Sequence, residues 1–281
     1  MERLAKLEAV KSQFLHLMGN DVEMPEIAIV LGSGLGQLAE GVDAQLVVPY
    51  EDLEDFPVSS APGHVGRFVI GTFAGVPVIV MQGRIHFYEG YKINDVVLPM
   101  RLLSEMGVET FILTNACGGI QDGMEPGDLM LITDHIASFV HSPLRGPNID
   151  GWGVRFPDMT QVYDVELQEI TRSAAQQLGI DLKEGIYLQV PGPAFETPAE
   201  VRAYKILGAD VAGMSTATEA VAIRHLGGRV LGISCVTNLA AGLGDRWLTG
   251  EEVNIMGALS SEKFGALLAE ALRSICNLVK P

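Results

Sequence analysis

Ile27-Ala28-Ile29-Val30-Leu31-Gly32-Ser33-Gly34-Leu35-Gly36 runs five apolar residues straight into a glycine-rich turn. A short unbroken apolar run suits a strand buried on both faces, as in a sheet covered by helices. The turn after it has three readings. Its backbone N–H groups can form a nest for an anion, with the Ser33 hydroxyl as a further donor. It can also be a dinucleotide-binding loop, or a plain tight turn. The dinucleotide reading lacks the third glycine at its spacing, and the acidic group Glu51 to Asp55 follows Tyr50 instead of standing alone at a strand tip.

Outward from this stretch, strand and helix signals alternate. Before it, Leu4, Leu7, Lys11, Phe14, Leu15 and Met18 place a mostly apolar stripe on a helix that stops at Gly19-Asn20. After it, strands are predicted at Ala44 to Val48, Arg67 to Phe73 and Val76 to Met81, the last two joined as a hairpin at Gly75. A helix at Ile93 to Met106 precedes a strand at Thr110 to Thr114, and further strands follow at Leu129 to Asp134, Gly185 to Val190, Val211 to Ala212 and Arg229 to Val236. Helices fit Val165 to Leu178, Pro198 to Leu207, Ala217 to Leu226 and Glu251 to about Leu278. Three of them open with Thr followed three residues later by Glu, at Thr197, Thr216 and Thr249, and each reads as a capping box. Early hairpins and late crossovers together give an α/β fold with a mixed central β-sheet flanked by helices, in a single domain over residues 1–281. Ser142 to Pro157 has neither period, and an irregular stretch of that length is functional or an interface.

With 48% hydrophobic residues the chain can bury one large core. A net charge of −16 argues against nucleic acid and membrane surfaces, which are gripped by clustered Lys and Arg. No apolar run is long enough for a membrane span, and Met1-Glu2-Arg3 leads into a charged amphipathic pattern, so a cytoplasmic protein is expected. Cys117, Cys235 and Cys276 have no metal-ligand spacing and read as free thiols; no metal is expected.

The polar candidates stand beside strand ends. In Gln82-Gly83-Arg84-Ile85-His86-Phe87-Tyr88-Glu89-Gly90, extended chain puts Arg84, His86 and Tyr88 on one side, where the arginine fork suits phosphate and the histidine adds a donor. His64, in the loop Pro62 to Gly66, is a further candidate. Thr114-Asn115-Ala116-Cys117-Gly118-Gly119 ends a strand in small residues that let a ligand approach backbone. Phe195-Glu196 offers a stacking face and a carboxylate acceptor, although a Glu near a capping Thr is also a helix-start charge. Asn238, placed just after the last strand, is an amide donor or a turn former.

Leu31 to Gly36, Gly83 to Gly90, Thr114-Asn115-Ala116, Pro143-Leu144-Arg145-Gly146-Pro147-Asn148, Gly192-Pro193-Ala194-Phe195-Glu196-Thr197, Gly213-Met214-Ser215-Thr216 and Thr237-Asn238 together resemble the trimeric purine nucleoside phosphorylases. They fall in that family's order and span nearly the whole chain. The resemblance implies a fold of nucleoside phosphorylase type, a homotrimer, and reversible phosphorolysis of inosine, guanosine and their 2′-deoxy analogues to free base and α-ribose 1-phosphate in purine salvage. Inorganic phosphate is then a co-substrate and no cofactor is needed. Carried over by residue, phosphate would meet Ser33, Arg84, His86, the Ala116 N–H and Ser215, with His64 closing over it. The ribose would lie against Tyr88 and Met214, capped by Phe195 and by Phe156 from a neighbouring subunit, and the base would meet Glu196, Thr237 and Asn238. The implied catalytic residues are Asn238, Glu196 and His86.

The family commonly places a His that contacts the ribose 5′-hydroxyl just before the last helix, where this chain has Gly250. Preference for xanthosine or for 5′-modified nucleosides is the alternative within the family. Asn238 stands where related enzymes that cleave 5′-methylthioadenosine carry Asp, and Ala217-Thr218 replace a usual Val-Pro in what reads as helix packing. Two other classes remain: a nicotinamide-dependent oxidoreductase, disfavoured by the incomplete fingerprint, and a non-catalytic nucleoside binder.

Overall fold

A computed structural model of the chain describes residues 2–244 and 247–279. Helix α1 (Glu2–Met18) precedes β1 (Ile27–Val30), β2 (Val42–Pro49), β3 (Arg67–Phe73) and β4 (Val76–Gln82). Next come α2 (Ile93–Val96), α3 (Leu98–Glu105), β5 (Thr110–Gly119), β6 (Leu129–Ile136), α4 (Val165–Leu178) and β7 (Leu182–Gln189). The chain continues through α5 (Pro198–Ile206), β8 (Val211–Gly213), α6 (Ala217–His225), β9 (Arg229–Leu239) and α7 (Gly250–Val279).

The strands form a mixed sheet in the order β2-β3-β4-β1-β5-β8-β7-β6-β9, and β5 also pairs with β9. That extra pairing closes β5, β9, β6, β7 and β8 into a small barrel, so β5 belongs both to the barrel and to the open sheet. Strand β1 lies between β4 and β5, parallel to both. Its alternate residues enter separate cores. Ala28 and Val30 face the side covered by α1, α3 and α6, while Ile27, Ile29 and Leu31 face the side covered by α4 and α7. Burial on both faces explains the unbroken apolar run. No helix among the described residues is long and apolar enough to cross a membrane.

Several boundaries differ from the sequence reading, each for a local reason. The helix expected over Ile93 to Met106 breaks into α2 and α3 at Val97, because Pro99 has no N–H to continue the ladder and sits in the first turn of a new helix. On α1 the buried stripe is Leu7, Val10 and Phe14, with Leu4 and Leu15 exposed. Strands β5 and β9 run on to Gly119 and Leu239, past the expected ends at Thr114 and Val236, since each continues to pair with the other through a bulge between Cys117 and Gly118. Asn115, Thr237 and Asn238 therefore stand on strands, not in turns after them.

The three capping boxes separate. Thr197 and Glu200 satisfy each other's backbone as expected. Thr249 accepts from the Glu252 N–H at 3.2 Å, one half of the motif. Thr216 caps nothing: its φ is +80° and its hydroxyl accepts from Asn115 Nδ2 at 3.1 Å, which leaves Glu219 for another partner. The stretch from Ser142 to Pro157 is irregular apart from a short helical turn at Asp150–Trp152, and is anchored by Arg101, which donates to the Pro143 carbonyl and lies 4.4 Å over the Trp152 ring.

Candidate active site

A cavity of about 690 Å³ opens where β1, β4, β5, β8 and β9 end, beneath the first turn of α7. Ser33 enters it from the loop after β1, and Arg84, His86 and Tyr88 from the segment after β4. Asn115 to Gly118 on β5 form the floor with Thr237 and Asn238 on β9. Phe195 and Glu196 stand on the loop before α5, Met214 and Ser215 follow β8, and Gly250, Glu251 and Asn254 close the side at α7.

Glycines make these approaches possible. A Cβ on Gly32 would lie 2.6 Å from Asn115 Cα, and one on Gly34, whose φ is +75°, would lie 2.8 Å from Gly257 Cα on α7. The glycine-rich loop is therefore wedged between β5 and α7. Gly83, at φ +128°, turns the chain out of β4 with a built Cβ 2.7 Å from the Gly66 nitrogen.

Arg84 is 1% exposed, yet its fork is not open to a ligand. Nε and Nη2 donate to the two oxygens of buried Glu219 at 3.0 and 2.9 Å, and Nη1 donates to the Thr114 carbonyl at 2.6 Å and to Ser215 Oγ at 3.2 Å. Only one of the guanidinium's five N–H donors is left. The fork that the sequence reading held suited to phosphate faces Glu219 on its Nε and Nη2 edge. Asn115 Nδ2 donates to Thr216 Oγ1, which lies 3.1 Å from Ser215 Oγ. Ser215 Oγ thus accepts from Arg84 and shares a hydroxyl–hydroxyl hydrogen bond with Thr216.

A second chain of donors orients Ser33. The backbone N–H of Arg84 donates to His64 Nδ1 at 3.0 Å, and His64 Nε2 lies 3.1 Å from Ser33 Oγ. Burial, with His86 and Arg84 close by, pushes the His64 pKa down to about 3, so the ring is neutral at pH 7. Its Nδ1 lone pair is occupied, so the single proton sits on Nε2 and is donated to Ser33, whose hydroxyl points its proton elsewhere. His64 thus supports Ser33 from behind and is not itself part of the cavity lining.

His86 is held by Glu89, whose carboxylate accepts from the His86 backbone N–H at 2.7 Å and lies 3.0 Å from Nδ1. Burial raises the Glu89 pKa, but hydrogen bonds from His86 and Ser60 outweigh it and bring it down to about 2. The ionised carboxylate fixes a proton on Nδ1 and leaves Nε2 for a ligand. The segment is not extended throughout, as the sequence suggested: Phe87–Glu89 is a helical turn, and Tyr88 stacks on His86 at 4.6 Å.

At the other end of the cavity Glu196 is half-buried, and desolvation raises its pKa. Asn238 Oδ1 accepts from the Thr237 hydroxyl at 3.0 Å, while its Nδ2 donates to the Leu239 carbonyl at 3.0 Å and keeps one N–H unused. Met214 lies so close to Gly192 that a Cβ there would meet its sulfur at 2.5 Å and the Tyr88 ring at 3.1 Å. Phe156 alone among the expected nucleoside contacts is elsewhere. It is 87% exposed and lines a separate surface groove with Arg145, Arg155 and Met159.

The model of the phosphorylase superfamily matches residues 26–273. Purine nucleoside phosphorylase 1 of Geobacillus stearothermophilus is 48% identical over 229 residues, covering 82% of this chain and 84% of that one. The Bos taurus purine nucleoside phosphorylase is 43% identical, over 79% of this chain and 78% of its own. The chain belongs to the purine nucleoside phosphorylase family. A Schistosoma purine nucleoside phosphorylase solved with hypoxanthine superposes with a TM-score of 0.90 at 35% identity, over 97% of this chain and 98% of its own. A Schistosoma mansoni purine nucleoside phosphorylase solved with adenosine gives the same TM-score over 99% of each chain.

As a member of this family the chain is a glycosyltransferase-type enzyme. For a purine nucleoside phosphorylase, the sequence reading missed Glu89 as the partner of His86, and Glu219 and Asn115 as partners of the Arg84–Ser215 cluster. Glu219 carried a signal. It is a lone charge in Ala217-Thr218-Glu219-Ala220-Val221-Ala222-Ile223, where a capping role does not require burial.

Proposed function

We propose that the cavity catalyses reversible phosphorolysis of 6-oxopurine nucleosides, inosine, guanosine and their 2′-deoxy analogues, to the free base and α-ribose 1-phosphate. The observation that carries this reading is the pair of serines that accept from behind, Ser33 from His64 and Ser215 from Arg84, in one cavity with His86, which sets both hydroxyls to serve a ligand. Such a donor set suits an anion with several acceptor oxygens. The Ala116 N–H and the remaining Arg84 N–H extend it. Phosphate is the co-substrate and no further cofactor takes part.

Cleavage of the N-glycosidic bond puts positive charge on the ribose and negative charge on the departing purine. Phosphate held below the sugar is set for attack at C1′ and opposes the first charge. The unused Asn238 N–H donates to N7 or O6 and disperses the second. Tyr88, Phe195 and Met214 pack the ribose, completed by Phe156 of a neighbouring subunit in a homotrimer. Glu196 accepts from N1–H of a 6-oxopurine. Adenine has a lone pair at N1, and a buried mismatch of this kind discriminates by about 10⁴.

The test is release of hypoxanthine from inosine with and without phosphate. Release that needs phosphate supports the reading; release without it points to a hydrolase, and binding with no release to a carrier. Adenosine is the second arm, and turnover comparable to inosine overturns the role of Glu196. One observation favours a wider choice at the 5′ end: among the described residues nothing lies within 4 Å of a Cβ built on Gly250, in the cavity wall. If that space relaxes 5′ selectivity, 5′-deoxyinosine is cleaved about as well as inosine; a far lower rate removes the idea.

A further inference from the structure

We propose that Glu219 is a positioning residue that sets the strength of the phosphate site by neutralising Arg84 and occupying its fork. The inference rests on the phosphate reading above.

The pair is buried on both sides, with side chains 1% and 3% exposed, and it joins the segment after β4 to the first turn of α6. Such a pair contributes little net stability compared with apolar packing of the same volume, so stability alone is a weak reason for a charged pair at this position. Its location does. The same guanidinium donates to Ser215 Oγ, so a negative charge stands one side chain away from a site built for an anion.

Without that carboxylate, a desolvated and uncompensated guanidinium charge would stand beside the phosphate dianion and strengthen its hold. The reaction is reversible and needs both phosphate and ribose 1-phosphate to leave. With Glu219 in place the net charge of the pair is zero. Arg84 then acts through one N–H and through the Ser215 hydroxyl that it polarises. The carboxylate also fixes the rotamer of Arg84, so the two serines and the remaining N–H keep a constant geometry whether the site is filled or empty.

Phosphate KM, nucleoside KM and kcat are to be measured for the parent, Glu219→Asp and Glu219→Gln. Gln removes the charge. Asp keeps it but is one methylene too short to bridge both nitrogens of the fork. Phosphate KM falls in the order parent, Asp, Gln, by about tenfold overall, the size of one partly screened charge interaction. Nucleoside KM stays unchanged, and kcat falls in Gln as product release slows. Added phosphate raises the unfolding temperature more in Gln than in the parent, because the ligand meets the unpaired cation. Loss of a merely structural contact would raise phosphate KM instead. That result in either variant, or an unchanged phosphate KM in Gln, overturns the proposal. Both proteins are purified in phosphate. If Gln does not fold there, Asp decides: a lower phosphate KM supports the proposal and an equal or higher one overturns it. A parent with no phosphate dependence defeats the underlying reading; a phosphate-dependent parent with the wrong order defeats only this inference.

Discussion

Asn238 has one amide N–H tied to Leu239 and one unused, with its carbonyl held by Thr237. A donor held ready in this way suits a charge that appears only as the base departs. Asn238→Ala lowers kcat about 10² to 10³-fold, the effect of losing one transition-state donor, in steady-state assays with inosine. Glu89 gives a pH signature. Its pKa is about 2 in the fold against an ordinary 4.5, so the stability it contributes is complete above 4.5 and drains away as pH falls toward 2. In Glu89→Gln, urea midpoints fall less steeply across that window than in the parent. The importance of Glu89 and Glu219 was not legible from sequence, for different reasons. Glu89 lies in the quoted motif but shares a turn with His86 that extended-chain reasoning misses. Glu219 meets Arg84 across 135 positions, a distance that no local pattern spans.

Among the elements, the loop after β1 and the start of α7 depend on each other. Gly34 has a positive φ and touches Gly257, so Gly34→Ala meets both backbone strain and a collision. It destabilises the fold by about 1–3 kcal/mol, the range for a non-glycine residue in a left-handed conformation, and raises phosphate KM by displacing Ser33; thermal unfolding and initial rates check the two parts. Strands and hairpins were readable where their cause is local. β1 declares itself by its apolar run, and the β3–β4 hairpin by Ala74-Gly75, where both residues have positive φ. The ends of β5 and β9 were not readable, because Thr114 to Gly119 and Val236 to Leu239 look like turn sequences until each strand finds the other.

For the molecule as a whole, Phe156 is exposed and lines a groove apart from its own cavity, and the homotrimer proposed above is what would bring it to a neighbouring one. Sedimentation gives the mass of three chains, and Phe156→Ala raises nucleoside KM while leaving the unfolding temperature of the single chain's core nearly unchanged, as its exposure in one chain requires. The irregularity of Ser142 to Pro157 was recognisable from its lack of either period, whereas the barrel formed by β5, β9, β6, β7 and β8 had no sequence signature at all, since closure depends on which strands become neighbours. The contact between Gly34 and Gly257 also sets an order in time. The wall of the cavity is complete only once the final helix has been made, and the same helix supplies Phe264, Leu267, Leu268, Leu272 and Ile275 to one face of the sheet. A chain that lacked α7 would carry Ser33 without the surface that holds it in place.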